Sequence, residues 1–189
     1  MKKNNKRQNT VVRALNDLGL AAWFGGSLMG AIGLNGAAAQ VDKPGERAKV
    51  ANAGWSRWTP ANLAAIGAYT IGSLVLTGAN RGRLAGQKGV AKAAVVKTAL
   101  TAAAMGATAY SRVLGQTVMD AGTPEVEGAT EPFAGTPPEV ADAQRKLKVM
   151  QWAVPALTGA TLVLDSKMSE QQRPAEVAKG MVRRLSPAA

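Results

Sequence analysis

The chain has 189 residues, 47% of them hydrophobic but only 4% aromatic, and a formal net charge of +11 from 23 Lys and Arg against 12 Asp and Glu. It has neither cysteine nor histidine, which excludes disulfides, thiolate chemistry, the usual zinc, haem and copper ligand sets, and every Ser-His-Asp or Cys-His catalytic arrangement. The scarcity of large side chains argues against a big soluble core and fits helices rich in Ala and Gly, whose backbones can approach closely in a membrane.

Residues 1–17 form a basic N-terminal segment with Lys2, Lys3, Lys6, Arg7 and Arg13 against Asp17. A helix is expected to begin near Thr10 or Val12. Residues 18–41, LGLAAWFGGSLMGAIGLNGAAAQV, carry no formal charge. As a helix they reach about 36 Å, enough to cross a hydrocarbon core of roughly 30 Å, and they read as a first transmembrane span. Ala37-Ala38-Ala39 also resembles a signal-peptide cleavage site, which leaves open whether residues 1–39 are removed.

Residues 42–59 read as a polar connector with a Pro44-Gly45 turn. Trp55 and Trp58, flanking Arg57 just before the next apolar run, read as anchors at a membrane–water interface. The second span is expected over 60–80, with Pro60 in its first turn. A basic stretch follows with Arg81, Arg83, Lys88, Lys92 and Lys97. The third span, 95–119, contains Arg112 and is the less regular for it. Residues 120–144 hold six acidic residues, no basic ones, and frequent Pro, Gly and Thr. They are expected to form the extended, mobile part of an outer loop, 120–146. A fourth span is expected over 147–164, short and containing Pro155, with a re-entrant segment as the competing reading. The basic tail 165–189 has Val177, Met181 and Leu185 at helical spacing, which fits an amphipathic helix on a membrane surface.

Four spans put the termini on one side. That side holds 15 Lys and Arg against 8 on the other, which places both termini in the cytoplasm of a multi-pass plasma (inner) membrane protein. The expected fold is therefore an all-α, polytopic four-helix transmembrane bundle over 18–164. Spacing its basic blocks by apolar runs of membrane length disfavours nucleic acid as a partner. Anionic lipid headgroups near the cytoplasmic segments are the expected partner, with a protein partner or a second copy of the chain as alternatives.

Small-residue rows on the spans mark packing faces, with Gly26 and Gly30 on the first, Gly72 on the second and Gly106 on the third. Polar residues inside spans are the default functional candidates, here Arg112, Asn35 and Asn62. An Asn35–Asn62 hydrogen bond between helices is one expectation. No residue set for a cofactor, a metal or catalysis is found.

Trp23-Phe24-Gly25-Gly26-Ser27, early in an Ala/Gly-rich first span, resembles small uncharacterised four-helix integral membrane proteins of actinobacteria. The resemblance implies a bacterial plasma membrane and brings no catalytic residue. The leading functional expectation is a non-catalytic accessory or scaffold protein of the cell envelope, as a subunit of a larger complex. The alternative is a small transporter or a lipid- or ligand-binding bundle.

Overall fold

The computed structural model describes residues 2–79 and 88–170, with side chains over 10–79 and 91–169. Its helices are α1 (Lys2–Met29), a π-helical turn (Gly30–Leu34), α2 (Asn35–Ala39), α3 (Pro44–Ala79), α4 (Lys88–Asp120) and α5 (Pro138–Glu170). Among the described residues the chain is all-α apart from one isolated bridge between Val126 and Pro132. The basic tail beyond Glu170, with its expected amphipathic helix, lies outside the described residues, as do Arg81 and Arg83.

The helices outrun the apolar segments that reveal them. At 1.5 Å per residue, α3 with its 36 residues is about 54 Å long. It absorbs the expected polar connector: Pro44 opens the helix, and Pro60 lies inside it rather than in a first turn. The 45–59 segment is polar but rich in helix formers such as Glu46, Arg47, Ala48 and Lys49, so it extends the rod instead of breaking it. The fourth apolar run is likewise the middle of the 33-residue α5. Helix α1 starts at Lys2 rather than near Thr10.

Among the described residues, three helical stretches are long and apolar enough to cross a membrane: Thr10–Ala39, Pro44–Ala79 and Pro138–Ser169. The expected third span falls on α4, which is long enough, but Lys92, Lys97 and Arg112 dilute its apolar character. The short fourth run, by contrast, meets the requirement as part of α5.

Distant contacts give the topology. Asn16 meets Gly72 and Gly30 meets Trp55, so α1 and α3 run antiparallel. Phe24 meets Gly159, while Asn35 bonds Gln151, which sets α5 antiparallel to α1. Lys97 pairs with Asp165, linking the start of α4 to the end of α5. The result is an up-down-up-down bundle in which α1 packs on α3 and α5, and α4 packs on α5. The α3/α4 seam is the loose one. Trp23, fully buried at the centre, reaches diagonally across to donate to Thr108 Oγ1 at 3.2 Å.

The bundle is turned inside out relative to a soluble protein. Asn16, Ser27, Asn35, Gln151, Thr158 and Thr161 are buried, while Leu18, Leu63, Ile71, Leu74, Val95 and Val163 are exposed. A soluble surface would not spend its large aliphatics this way, but a lipid-facing one does. Together with the three apolar helices, this makes the chain a membrane protein.

The 121–137 connection corrects the expectation of an extended, mobile loop. Val126, Ala129, Thr130 and Thr136 are buried, and Val126 joins Ala48, Leu114, Val118, Val140, Ala143 and Leu147 in a core cluster capping one end of the bundle. Its backbone is held from both flanks. Arg47 on α3 donates to the Val126 and Glu127 carbonyls, and Gln144 on α5 donates to those of Gly128 and Ala129. Thr136 Oγ1 donates to the Glu125 carbonyl at 2.6 Å and accepts from the Phe133 N–H at 2.8 Å.

Candidate functional site

Where α3 and α4 diverge, the bundle encloses a cavity of about 330 Å³. Its walls are mostly apolar, with Leu63 and Ile66 from α3, Met105 and Ala109 from α4, and Val154 from α5. Polar side chains break this lining, among them Ser27, Asn52, Thr108, Ser111 and Gln151. Trp58 and Asn62 lie four residues apart on one face of α3, and Arg112 stands on α4 across the seam. The indole Nε1–H of Trp58 and the Oδ1 of Asn62 are both buried, closed off even from the cavity, and have no hydrogen-bond partner among the described residues. Such orphans are rare in folded proteins and costly, about 1–3 kcal/mol each. Arg112 is exposed, so it stands at the cavity's mouth. Among the described residues it has no hydrogen bond or ion pair, and no carboxylate lines the cavity.

Asn35 lies just behind this wall. The π-turn at Gly30–Leu34, in which the Asn35 N–H reaches back five residues to the Gly30 carbonyl, turns the following helix face inward. The Asn35 side chain then accepts from Trp55 Nε1 at 3.0 Å and donates to Gln151 Oε1. Trp55 and Gln151 themselves line the cavity. The expected Asn35–Asn62 bond is thus replaced by an α3–α2–α5 relay, and Asn62 is left on the cavity wall. Two more irregularities lie near this level. Pro60 deprives the Ser56 carbonyl of its helical donor, and Pro155 does the same to Gln151.

The tryptophans are packed between helices rather than standing clear of them. Gly26 lies beneath the Trp58 ring and Gly30 beneath the Trp55 ring, each so closely that a Cβ would overlap the indole. Gly72 performs the same service for Asn16, whose Cα and N would lie 3.0 Å from an added Cβ. Gly106 is different: nothing approaches within 4 Å, and it packs against no other helix. A close backbone approach not expected from sequence is at Gly19, where a Cβ would sit 2.5 Å from the Ala65 carbonyl oxygen and 2.6 Å from the Tyr69 nitrogen. The seven-residue interval from Gly19 to Gly26 is the signal that marks it.

Gly19, Gly26 and Gly30 therefore let α3 lie close on α1, which carries Trp55, Trp58 and Asn62 as a group to the cavity wall. The arrangement offers polar side chains and a cation beside apolar walls. It can hold a molecule with one polar end. Among the described residues, no cluster of acidic side chains could hold a metal ion. No family model, curated protein or solved structure matches the chain.

Proposed function

We propose that this chain is a non-catalytic, four-span protein of the bacterial cell envelope that binds an amphiphilic ligand in the α3/α4 seam. In this reading α4 is the fourth crossing. The pairing of Lys97 with Asp165 and the position of Arg112, eight residues from the end of α4, make its charges tolerable there. The excess of Lys and Arg on the terminal side supports cytoplasmic termini.

The observation that carries the binding function is the mixed lining of the cavity. A structural void would be apolar and dry. This one is lined also by Ser27, Asn52, Thr108, Ser111 and Gln151, with the uncompensated cation of Arg112 at its mouth. Its volume falls at the small end of the range for ligand pockets, about 300–1,000 Å³. A ligand larger than this extends through the seam into the bilayer.

The test is to fill the space. Ala109→Trp places a large ring in the cavity from α4. Native mass spectrometry of gently solubilised protein is expected to show a retained small amphiphile on the wild type and none on the variant, with both still folded by far-UV circular dichroism. Equal retention by the two would overturn the assignment.

A second reading, an accessory subunit of a larger complex, draws on the looseness of the same seam, which a partner's transmembrane helix could close. A photo-crosslinker at Leu63, exposed on the seam, distinguishes the two. Adducts with lipid support the binding bundle, and a discrete protein adduct supports the subunit.

A further inference from the structure

The seam cavity has a shape and an opening that narrow its occupant. Resting on the binding function proposed above, we infer that the occupant is a single acyl chain of a bilayer lipid, taken in sideways between Leu63 and Ala109 and stopped at the end that the 121–137 connection caps.

The lining residues lie on one face of α3 from Ala48 to Ile66 and on one face of α4 from Met105 to Val118. The two helices run antiparallel here, since Asn52 donates to the Gly115 carbonyl and Tyr69 bonds Thr101. The cavity is therefore a cleft along the seam, and Met105 to Val118 alone rises about 20 Å. Over that length 330 Å³ is a mean section of about 16 Å², against roughly 80 Å² or more for a helix 10–12 Å across with its side chains. The section suits a linear chain and excludes a helix.

The opening is on the side. Ala48, Ala51, Val118, Ala129 and Leu147 wall the end beneath the connection, and all five are buried. Arg47 and Gln144 hold the connection there by its carbonyls. The exposed lining residues are Leu63, Ala109 and Arg112, all on the seam. Leu63 and Val113, the neighbour of Arg112, are among the exposed aliphatics that face lipid. The cleft thus opens to the bilayer and is shut at its capped end.

The polar groups on its walls are already engaged. Ser27, Thr59, Thr108 and Ser111 each give the hydroxyl hydrogen to a carbonyl of their own helix, and Asn52 donates to Gly115. Hydrocarbon laid against them strands no hydroxyl hydrogen, so the cost of covering an unbonded donor does not arise there. Arg112 stays at the mouth, beside the head of the lipid.

The full chain is delipidated in neutral detergent and offered palmitoyl lysophosphatidylcholine, one chain on a zwitterionic head. Native mass spectrometry counts what is retained. Glycerophosphocholine is the same head without a chain, and cholesterol hemisuccinate is a rigid, wider apolar body. One lysolipid per protein is expected, bound at least about tenfold tighter than the steroid and not displaced by millimolar glycerophosphocholine. A lysolipid with a diazirine in its chain is expected to label Val118 or Leu147, which are buried from the surrounding detergent. Ala109→Trp is expected to remove both signals. Arg47→Ala, which loosens the connection and lies outside the cleft, is expected to leave the rate of loading unchanged.

Labelling confined to exposed residues such as Leu63, or equal retention of the steroid, would overturn the acyl-chain assignment and leave the seam as a site for another amphiphile. Displacement by glycerophosphocholine would overturn it in favour of a soluble head. Native masses showing two protein chains and no lysolipid would put a second copy on the seam instead. Loading accelerated by Arg47→Ala would move the entrance to the capped end and overturn sideways entry. Retention of neither lysolipid nor steroid would overturn this inference and the proposed function together.

Discussion

Gly26 on α1 lies directly beneath the Trp58 indole on α3, with no room for a methyl group between them. This one contact joins the packing of the bundle to the shape of the cavity, because the same ring lines the cavity. Gly26→Ala is therefore expected to cost about 1–3 kcal/mol, the usual range for overpacking, and to weaken ligand binding with it. Gly19→Ala is expected to cost more, because its neighbours are the Ala65 carbonyl and Tyr69 nitrogen, which are backbone and cannot rotate away. Gly25→Ala and Gly106→Ala meet open space and are expected to be neutral or slightly stabilising. Thermal unfolding of the four variants in one detergent gives the ranking; equal effects at Gly19 and Gly106 would contradict it.

Asn35 is the middle member of a relay that joins three helices, and removing it orphans both neighbours. Asn35→Ala is expected to destabilise the bundle by about 0.6–1.7 kcal/mol, from the average to the largest coupling found for hydrogen bonds between membrane helices. A double-mutant cycle with Gln151→Ala isolates the pair. Coupling of the same sign is expected with Trp55→Phe, which removes the indole N–H donor but keeps an aromatic ring over Gly30. Zero coupling in both cycles would mean that the three side chains do not act as a unit.

Some of this was legible in the sequence and some was not, for identifiable reasons. The number of helical rods follows from apolar run length, which membrane thickness constrains directly. Their ends do not, because hydropathy marks where lipid-compatible residues stop, not where helix formers do, and Glu46–Lys49 is polar and helical at once. Gly26, Gly30 and Gly72 stand on small-residue rows and face neighbouring helices. Gly106 stands on a similar row and faces none, since spacing along one helix says nothing about which side a partner takes. Trp55 and Trp58 follow the interfacial pattern in sequence, yet their immediate neighbours are glycines some thirty residues earlier. Arg112 and Asn62 stand out in the sequence only as polar residues within apolar runs; that they line one cavity depends on the α3/α4 crossing.

The 121–137 connection illustrates the same limit and yields a prediction of its own. Its acidic, Pro- and Gly-rich composition describes side chains, whereas its order comes from carbonyls bonded by residues elsewhere. Arg47 alone donates to two of them, Val126 at 3.4 Å and Glu127 at 3.2 Å, and also to the Val41 carbonyl before α3 at 2.7 Å. The wild-type connection is expected to resist a glutamate-specific protease at Glu125 and Glu127. Arg47→Ala leaves the carbonyls without their donor and is expected to speed cleavage there by about tenfold, the effect of raising the open population by roughly 1.4 kcal/mol. Rapid cleavage of the wild type would show that the connection is not held closed.

Lys97 and Asp165 form the remaining cross-link, at the opposite end of the bundle from that connection. The ammonium lies 2.7 Å and 2.8 Å from the two carboxylate oxygens, and both side chains are only 18% exposed. The same nitrogen stands 5.3 Å from the centre of the Tyr69 ring, whose hydroxyl bonds Thr101. Removing one partner strands the other in a poorly hydrated place, so Asp165→Asn and Lys97→Met are each expected to destabilise. The cost should be on the order of 2 kcal/mol, below the 3–5 of a fully buried pair because some exposure remains. Removing both with apolar residues of similar size, Lys97→Met with Asp165→Leu, eliminates the stranded charge and is expected to recover most of the loss. Unfolding measured for the two single variants and the double tests the sign of the coupling. A double variant as unstable as the sum of the singles would mean that the two residues act separately, and would withdraw the support this pair gives to α4 as a membrane crossing.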